Sequence, residues 1–335
     1  MENKDNFASQ GAVAFQSEPG DFNLLVKILR GVLFPVPPRP SLFQSATGHG
    51  LAGPVMERVD PSSPLLRSIR ARTVLQLDVA CELLETAVSS RIPVVPLKGT
   101  DLIERLGIDP AMRPMSDIDL IVPTDFRADM ALLIRQSGYE LMDTRADRLD
   151  REQEGPWRFV RTDGDFRTVV ELHDRPFAGS PLRFADFVVT KDAGRPVLTP
   201  EAALYWLARN AAWHGFSERL LFLYDLDRFL RHPETEISAA AFEVLAGKSG
   251  EKRLVMLALG AAASLLGTPL GELEHGSVAG DDRLLRRCTM GRAPLGFGPR
   301  SLFPILLLDR PQDRFRELWY GLRRTLIGGA TGRSG

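Results

Sequence analysis

Two aspartates lie one residue apart in the segment SDIDLIVP, residues 116–123. Side chains of a β-strand alternate between its faces, so Asp117 and Asp119 would point the same way, roughly 7 Å apart. Two carboxylates at that distance repel each other, and a divalent cation bound between them would remove the repulsion. The pair therefore predicts one wall of a metal site, although the same residues alone also suit the polar start of a buried strand.

The segment FRTVVELHD, residues 166–174, supplies further groups of this kind. Strand alternation places Glu171 and His173 on a common face, and a strand paired beside residues 117–119 would bring them to the two aspartates. Three carboxylates would then surround one site. Oxygen ligands of this kind favour Mg²⁺ or Mn²⁺ bound to nucleotide phosphates over Zn²⁺, which prefers His and Cys.

The segment PLKGT, residues 96–100, offers groups that suit an anion. Gly99 stands between a predicted strand and a predicted short helix, where the lack of a side chain lets the backbone approach a phosphate closely. The following helix start has free N–H groups, and Lys98 or Thr100 could add a charge or a hydroxyl. We therefore expect a phosphate-binding turn shortly before the acidic strand.

Several elements must position these groups. Residues 92–97, IPVVPL, are rich in β-branched side chains and contain two prolines, which is typical of a short buried strand. Residues 101–107 predict a short helix that ends at glycine, and residues 126–139 predict another. Residues 157–174 contain two alternating runs around Asp-Gly, which predicts a β-hairpin. This mixture of helices and strands predicts an α/β or α+β lobe.

The flanking regions are predicted to be helical. Apolar residues at three- and four-residue steps predict one long amphipathic helix from Pro64 to Ser90, with Cys81 as a small buried side chain. Beyond residue 199, the pattern predicts helices at 200–213, 218–231, 238–248, 251–266, 281–288 and roughly 311–326. The aromatic residues Tyr205, Trp206 and Trp213 are expected to pack between helices rather than stack on a base.

The order of these elements resembles the nucleotidyltransferase superfamily that includes DNA polymerase β, in which a glycine turn, a D-x-D strand and a third carboxylate follow one another. A closer resemblance is to an uncharacterised bacterial nucleotidyltransferase family in which PLKG, RPMSDIDL and a later acid-hydrophobic-His occur together. Here these motifs are residues 96–99, 113–120 and 171–173. The resemblance covers roughly residues 21–325.

The resemblance implies an α+β fold: a polymerase-β-like nucleotidyltransferase sheet lobe with N-terminal helices and a C-terminal all-α lobe. The expected division is a disordered stretch at 1–20, an N-terminal helical region packed on the sheet lobe at 21–92, the nucleotidyltransferase core at 93–198, the C-terminal helical domain at 199–327, and a disordered end at 328–335. The active site would lie in the cleft between the two lobes.

The resemblance also implies a reaction, in which an acceptor oxygen attacks the α-phosphate of an NTP and pyrophosphate leaves. Asp117 and Asp119 would then be metal ligands, and Glu171 would be the third ligand or the base. Relatives commonly carry Asp where this chain has Glu171. If Glu171 does not reach the metal, Asp174 is the alternative, although it points to the other face of the strand.

Other residues complete the expected site. The nucleotide-binding set implied by the resemblance is Lys98, Gly99, Thr100, Arg113 and Ser116. Possible substrate contacts are His173, His214 and Asp225, each of which also has a purely structural interpretation. His173 could be a strand-end side chain, His214 could complement a helix C-terminus, and Asp225 could hold His214 or an arginine. The arginine-rich segment 283–300 could bind an acidic acceptor or could be a solvated loop.

Composition limits the setting of this chemistry. The chain has 335 residues and a formal net charge of −1, which gives no overall electrostatic case for general nucleic-acid or membrane-surface binding. Its 2 cysteines, Cys81 and Cys288, lie far apart and support neither a disulfide framework nor a thiolate zinc site. No run of apolar residues reaches the length of a membrane span, so we expect a cytoplasmic protein.

The sequence therefore predicts a Mg²⁺- or Mn²⁺-dependent nucleotidyltransferase that moves an NMP group from an NTP to a hydroxyl or phosphate of a small molecule, saccharide, peptide natural product or protein. The first alternative is a catalytically silent module that binds a nucleotide or a partner, such as an antitoxin-type protein. The second is a structural protein in which Asp117 and Asp119 merely begin a strand. The preferred NTP, the acceptor and the oligomeric state are left open.

Overall fold

The computed structural model describes residues 19–31, 40–142, 155–176, 180–190, 195–214, 220–276, 305, 308–315 and 317–318. Most of the N-terminal stretch predicted to be disordered, all of the C-terminal one, the predicted helix at 281–288 and the arginine-rich segment 283–300 lie outside these residues. Residues 19 and 20, which belong to the first of these stretches, begin a helix.

Helices dominate both ends of the described chain. They are α1 (Pro19–Leu29), α2 (Pro40–Gly48), α3 (Ala52–Val59), α4 (Pro64–Ser89), α5 (Lys98–Leu106), α6 (Arg127–Gln136), α7 (Pro200–Trp213), α8 (Leu220–Arg231), α9 (Ala239–Ser249) and α10 (Lys252–Leu266). Side-chain oxygens of Ser63, Thr199 and Ser238 accept backbone N–H bonds at the starts of α4, α7 and α9. These bonds satisfy N–H groups that have no partner within the helix.

A five-stranded mixed sheet lies between the helical regions. Its strands are β1 (Val95–Pro96), β2 (Ile118–Ile121), β3 (Glu140–Leu141), β4 (Trp157–Asp163) and β5 (Phe166–His173), in the spatial order β1-β2-β5-β4-β3. β2 and β5 run parallel, whereas the other neighbours are antiparallel. β4 and β5 form the hairpin predicted around Asp-Gly. A small second sheet, β6 (Val188–Thr190) with β7 (Pro196–Leu198), is not predicted.

The long helix α4 forms as predicted, but one of its residues lies on a different face. Cys81 is exposed, so the prediction of a buried cysteine is wrong. The buried stripe of α4 includes the polar residues Thr73 and Gln76 and continues through Ala80. Because successive residues are turned by about 100° around a helix, the residue after Ala80 points away from that stripe. Val88, an apolar residue of the same helix, is likewise 59% exposed.

Strand alternation divides the sheet between two groups of buried side chains. Ile118 and Leu120 of β2, with Val170 and Leu172 of β5, pack against α4 and α6. The opposite face of β2 meets a larger core that contains Ile121 and joins α1, α2, α3 and α5 to the C-terminal helices. The fold class is therefore α+β, a sheet lobe with N-terminal helices and a C-terminal helical lobe, as the sequence predicted. The division at 93 and 199 stays a prediction.

The described helices include none that could cross a membrane, because none is both long enough and apolar enough.

Candidate functional site

The pairing of β2 with β5 creates a cluster of ionisable side chains. In this parallel pair Asp119 lies opposite Glu171, and Ile121 lies opposite His173. The Nε2 atom of His173 is 3.0 Å from Oδ1 of Asp119 and 3.7 Å from Oε2 of Glu171. One potential ligand atom from each of the three residues lies within 4.8 Å of the other two. We call these residues the acidic cluster.

Lys98 supplies a positive charge to the acidic cluster. Its Nζ atom lies 2.7 Å from Oδ1 of Asp119, and only 18% of its side chain is exposed. Burial opposes the charge on Lys98, but the neighbouring carboxylates, Asp119 foremost, outweigh burial and raise the pKa of the amine. Lys98 has a φ of 51°, a left-handed conformation that is unfavourable for a residue with a side chain. The strained backbone position of this turn is therefore Lys98 and not Gly99.

Asp117 and Asp119 have opposite electrostatic surroundings. Burial, Asp119 and Glu171 raise the pKa of Asp117 to about 6. Burial would also raise the pKa of Asp119, but Lys98 and His173 outweigh it and hold that pKa well below its usual value. Asp117 precedes β2, and its Oδ1 accepts a 3.0 Å bond from the exposed hydroxyl of Ser116. Asp119 of the cluster therefore has a paired charge, whereas the neighbouring Asp117 does not.

Arg158 is a member of the site that the sequence argument did not include. It lies opposite Glu171 in the β4–β5 hairpin, and its Nε atom is 2.7 Å from Oε1 of Glu171. The position of Arg158 could have been found from the hairpin register, because Asp163 pairs with Phe166 across a two-residue turn. Counting back along both strands from that turn brings Arg158 to Glu171.

The structure places Glu171 in the acidic cluster and Asp174 elsewhere. Oδ1 of Asp174 is 3.0 Å from Nη1 of Arg127, and its Oδ2 accepts a 3.1 Å bond from the hydroxyl of Thr124. Only 2% of the Asp174 side chain is exposed. Since its oxygens are already bound on that side of the strand, the geometry favours Glu171 over Asp174 as the third carboxylate.

Gly99 permits close packing at the start of α5. A Cβ atom there would lie 3.2 Å from the side chain of Met115 and 3.3 Å from Nη1 of Arg113, tighter than ordinary contacts. The hydroxyl of Thr100 faces Met115, with Oγ1 3.7 Å from Sδ, and the residue is 4% exposed. No side chain caps the N-terminus of α5. The backbone of this helix start, rather than the Thr100 hydroxyl, therefore has the groups that suit a phosphate.

Arg113 forms a buried ion pair with Asp225 of α8. Its Nε atom lies 2.8 Å from Oδ1 and 2.9 Å from Oδ2 of Asp225, and its Nη1 donates to the carbonyl of Pro114 at 2.6 Å. Burial raises the pKa of Asp225 to about 6, against the opposing effect of Arg113. Asp225 therefore holds an arginine, one of the two structural roles expected for it.

The C-terminal helices contact the cluster through one aromatic ring. Trp206 of α7 is buried and lies edge-on to His173, with ring centroids 5.7 Å apart. Tyr205 and Trp213 both donate to the buried carboxylate of Glu251, which supports the packing role predicted for these aromatic residues.

His214 lies at the end of α7, as expected from the sequence. It is exposed and tilted against Phe222, with ring centroids 4.9 Å apart. Its position therefore matches the helix-end interpretation better than the substrate-contact interpretation.

The donor set of this site suits a divalent cation. The cluster offers carboxylate oxygens from two residues and one imidazole nitrogen, and Asp117 adds a carboxylate whose pKa is raised by burial and by the negative charges of Asp119 and Glu171. Hard oxygen donors favour Mg²⁺ or Mn²⁺, and the imidazole is compatible with Mn²⁺. An ion bound here would relieve the repulsion that now falls on Asp117.

Comparison with known proteins points to one family. A family described as "Uncharacterised nucleotidyltransferase" matches residues 40–267. This range contains the acidic cluster, the Lys98 turn and the Arg113–Asp225 pair. The resemblance drawn from the sequence motifs is therefore confirmed. Among curated proteins, none matches the chain.

Solved structures provide more distant likenesses. The antibiotic-resistance factor ANT(2'')-Ia shares 18% identity over 60% of this chain and 96% of its own, with a TM-score of 0.31. An antigenic nucleotidyltransferase-like protein from Paracoccidioides brasiliensis shares 14% identity over 62% of this chain and 93% of its own, with a TM-score of 0.36. At these TM-scores the likenesses carry no argument about substrate.

Proposed function

Because this chain belongs to the uncharacterised nucleotidyltransferase family, we propose that it catalyses metal-dependent transfer of an NMP group from an NTP to an acceptor, with release of pyrophosphate. The acceptor would offer a hydroxyl or phosphate oxygen and would be a small molecule, saccharide, peptide natural product or protein. The observation that carries the proposal is the acidic cluster, in which Asp119 and Glu171 meet on one face of the parallel strands β2 and β5.

We propose that Asp117, Asp119 and Glu171 hold Mg²⁺ or Mn²⁺. When bound, the metal would lower the pKa of the acceptor hydroxyl and neutralise negative charge on the phosphates. Support comes from the donor set and from the raised pKa of Asp117, which a cation would relieve. Glu171 would also receive the proton of the acceptor hydroxyl. In the same step the acceptor oxygen bonds to the α-phosphorus, and the bond between the α-phosphorus and the oxygen of the leaving pyrophosphate breaks.

The groups beside the metal ligands suit the triphosphate. Lys98 is a buried amine whose raised pKa keeps it charged, so it would neutralise phosphate oxygens once a metal ion shares Asp119. The uncapped N-terminus of α5, which begins with Lys98 and Gly99, adds backbone N–H donors for the same phosphates. Arg113 is already bound to Asp225, so its proposed role is structural: its side chain packs beside Gly99 and supports that turn.

A pyrophosphate-release assay tests the proposal. The full chain is incubated with ATP, GTP, CTP or UTP, with Mg²⁺ or Mn²⁺ and a cell extract, and acceptors are sought as species heavier by one NMP. We expect pyrophosphate release that Asp119→Asn abolishes. Asp78→Asn is the matched control, because Asp78 is an exposed carboxylate on α4, away from the site. No pyrophosphate with any NTP and either metal would contradict the proposal.

One observation favours the alternative of a catalytically silent nucleotide-binding module. Lys98 already occupies Oδ1 of Asp119, so the carboxylate has a cation without any metal. Under this alternative, NTP binding would gain nothing from Mg²⁺ or Mn²⁺. Titration of an NTP with and without the metal separates the two functions, because the transferase requires tighter binding when the metal is present.

A further inference from the structure

A cavity lies at the opposite end of α5 from the acidic cluster. Its volume is about 630 Å³, and it is bordered by the ends of α1 and α5, by α3, by one face of α8 and by the end of α10. Lys98 begins α5 on the acidic side, whereas Leu106 and Gly107 at the other end line the cavity. At 1.5 Å per residue, the helix separates the two places by about 13 Å. We call this space the basic cavity.

Arginines give the basic cavity its charge. Arg30, Arg58, Arg228 and Arg231 line it, together with two aspartates, Asp109 and Asp227. Each aspartate is already neutralised by an arginine. Asp109 pairs with Arg70, which is not among the lining residues, and Asp227 pairs with Arg231.

Three arginines remain without a carboxylate partner in the described part of the chain. Arg30 donates only to the carbonyls of Ser264 and Leu265, which end α10. Arg228 lies over the ring of Tyr224 and makes a long 3.4 Å contact with the carbonyl of Met112. Arg58 is exposed and makes no described side-chain bond. The basic cavity therefore contains arginines that form no close ion pair with a carboxylate of the described chain, although Asp109 and Asp225 lie near enough to Arg228 to interact with its charge.

A histidine adds an unsatisfied polar atom to the same wall. The Nδ1 atom of His232 is buried and has no hydrogen-bond partner among the described residues. A buried polar atom without a partner costs free energy, and His232 is one of the residues that line the basic cavity. His232 follows α8 directly, one residue after Arg231.

The remaining lining is apolar. Leu29, Leu106, Ile108, Met112 and Leu266 contribute to it. A volume of this size is within the usual range for small-molecule sites, which combine apolar walls with a few placed polar groups. One arginine guanidinium group can donate two parallel hydrogen bonds to two oxygens of a phosphate or a carboxylate, so arginine suits such anions. The lining thus suits a ligand with an anionic head and an apolar body.

We propose that the basic cavity binds a small phosphate monoester whose dianionic head contacts Arg58 and Arg228 and whose apolar body lies against Leu106 and Met112. The cavity is distinct from the acidic cluster, because none of the cluster residues lines it and the two places lie at opposite ends of α5. Its occupant would contact α8, the helix that also holds Arg113 through Asp225. The proposal does not rest on the proposed nucleotidyl transfer.

Phenyl phosphate is a suitable probe, because it combines a dianionic head with an apolar ring. Isothermal titration of the full chain in a phosphate-free buffer with EDTA should detect one binding site, while phenol, which lacks the charge, should not bind. We expect Arg58→Gln and Arg228→Gln each to weaken binding about tenfold, because each removes a charge-assisted hydrogen bond. Arg58 makes no described bond in the fold, so its variant tests the ligand rather than stability.

Arg253→Gln is the matched control, because Arg253 is an exposed arginine on α10 that does not line the basic cavity. Its affinity for phenyl phosphate should equal that of the wild type. Absence of binding, equal weakening by Arg253→Gln, or unchanged affinity in Arg58→Gln would each overturn the proposal. Since no nucleotide or metal is present, a chain that proves catalytically silent could still bind phenyl phosphate.

Discussion

The acidic cluster and the basic cavity, at opposite ends of α5, differ in how their charges are balanced. In the acidic cluster, Lys98 contacts Asp119 and Arg158 contacts Glu171, so internal cations already neutralise two carboxylates. In the basic cavity, Arg58 and Arg228 have no carboxylate partner. The first site contains charges that a metal and a nucleotide would rearrange, whereas the second contains arginines that are free to pair with an anionic ligand.

The largest expected effect tests which carboxylate belongs to the acidic cluster. Glu171→Gln should lower the rate of pyrophosphate release by roughly 10²- to 10³-fold, because it removes a negative oxygen from the proposed metal site. Its stability should change little, since Arg158 is partly exposed. Steady-state kinetics with saturating NTP and Mn²⁺ measures the change.

Asp174→Asn provides the contrast to Glu171→Gln. Asp174 pairs with the buried Arg127, so this variant should unfold at lower denaturant concentration while folded protein retains activity. If Asp174→Asn instead lost activity without losing stability, and Glu171→Gln stayed active, Asp174 would be the third carboxylate and the acidic cluster would be assigned to the wrong residue.

The buried Arg113–Asp225 pair should matter most for stability. Asp225→Asn leaves the buried charge of Arg113 without a partner and should lower the free energy of unfolding by about 3–5 kcal/mol. The control is Glu104→Gln, which breaks the exposed Arg195–Glu104 pair and should cost less than about 1 kcal/mol. Urea unfolding measures both. Equal losses of stability would show that the buried Arg113–Asp225 pair contributes no more to folding than the exposed Arg195–Glu104 pair.

The unpaired carboxylate of Asp117, beside the acidic cluster, should affect the pH dependence of stability. The folded pKa of Asp117 is raised to about 6, above the value of roughly 4 expected when unfolded. A carboxyl group whose pKa is higher in the folded state favours folding most below about pH 4, where it is protonated in both states. This contribution is lost as pH rises from about 4 to about 6, because the folded state must then release a proton that it binds more tightly. Without metal, stability should therefore fall across this window by about 1–3 kcal/mol from Asp117.

Asp117→Asn should remove its share of that fall. Asp225, whose pKa is also raised to about 6, contributes in the same window, so part of the slope should remain. Urea unfolding in EDTA at several pH values between 4 and 7 measures both proteins. A variant with the same pH profile as the wild type would show that Asp117 is not the strained carboxylate.

The smallest effect concerns the internal cation. Lys98→Met should tighten Mn²⁺ binding about tenfold, because the amine no longer competes for Oδ1 of Asp119. The same variant should raise the KM for NTP, since a phosphate partner is lost. Electron paramagnetic resonance of free Mn²⁺ measures the affinity, and Lys248→Met, which removes an exposed lysine paired with Asp186, is the control. Weaker Mn²⁺ binding in Lys98→Met would mean that the amine supports the site rather than competing in it.

Local patterns in the sequence predicted much of the fold and part of the site. The Asp-Gly turn predicted the β4–β5 hairpin, and the residue pattern beyond position 199 predicted the helix α7, which begins at Pro200. Alternation along β5 put Glu171 and His173 on one face. These features depend on residues within a few positions of one another, so the sequence contains their whole physical cause.

Other features depend on contacts between distant residues. Cys81 is exposed because the packing of α4 selected a stripe that includes Thr73 and Gln76, which apolar spacing could not reveal. The partner of Asp225 was left open between a histidine and an arginine, and the contact with Arg113 spans 112 positions of the chain. Neither the burial of a helix face nor a long-range ion pair has a local signal.

By itself, the sequence determined the chemistry that this protein has available: a D-x-D strand, a lysine-glycine turn, a later acid and histidine, and the local elements that contain them. Tertiary structure decided which of these groups meet. The parallel pairing of β2 with β5 brought Asp119 to Glu171, Lys98 reached across to Asp119, and separate helices enclosed the basic cavity. The physical reason is that strand pairing and helix packing join residues far apart in the chain, whereas sequence patterns report only the neighbours of each residue.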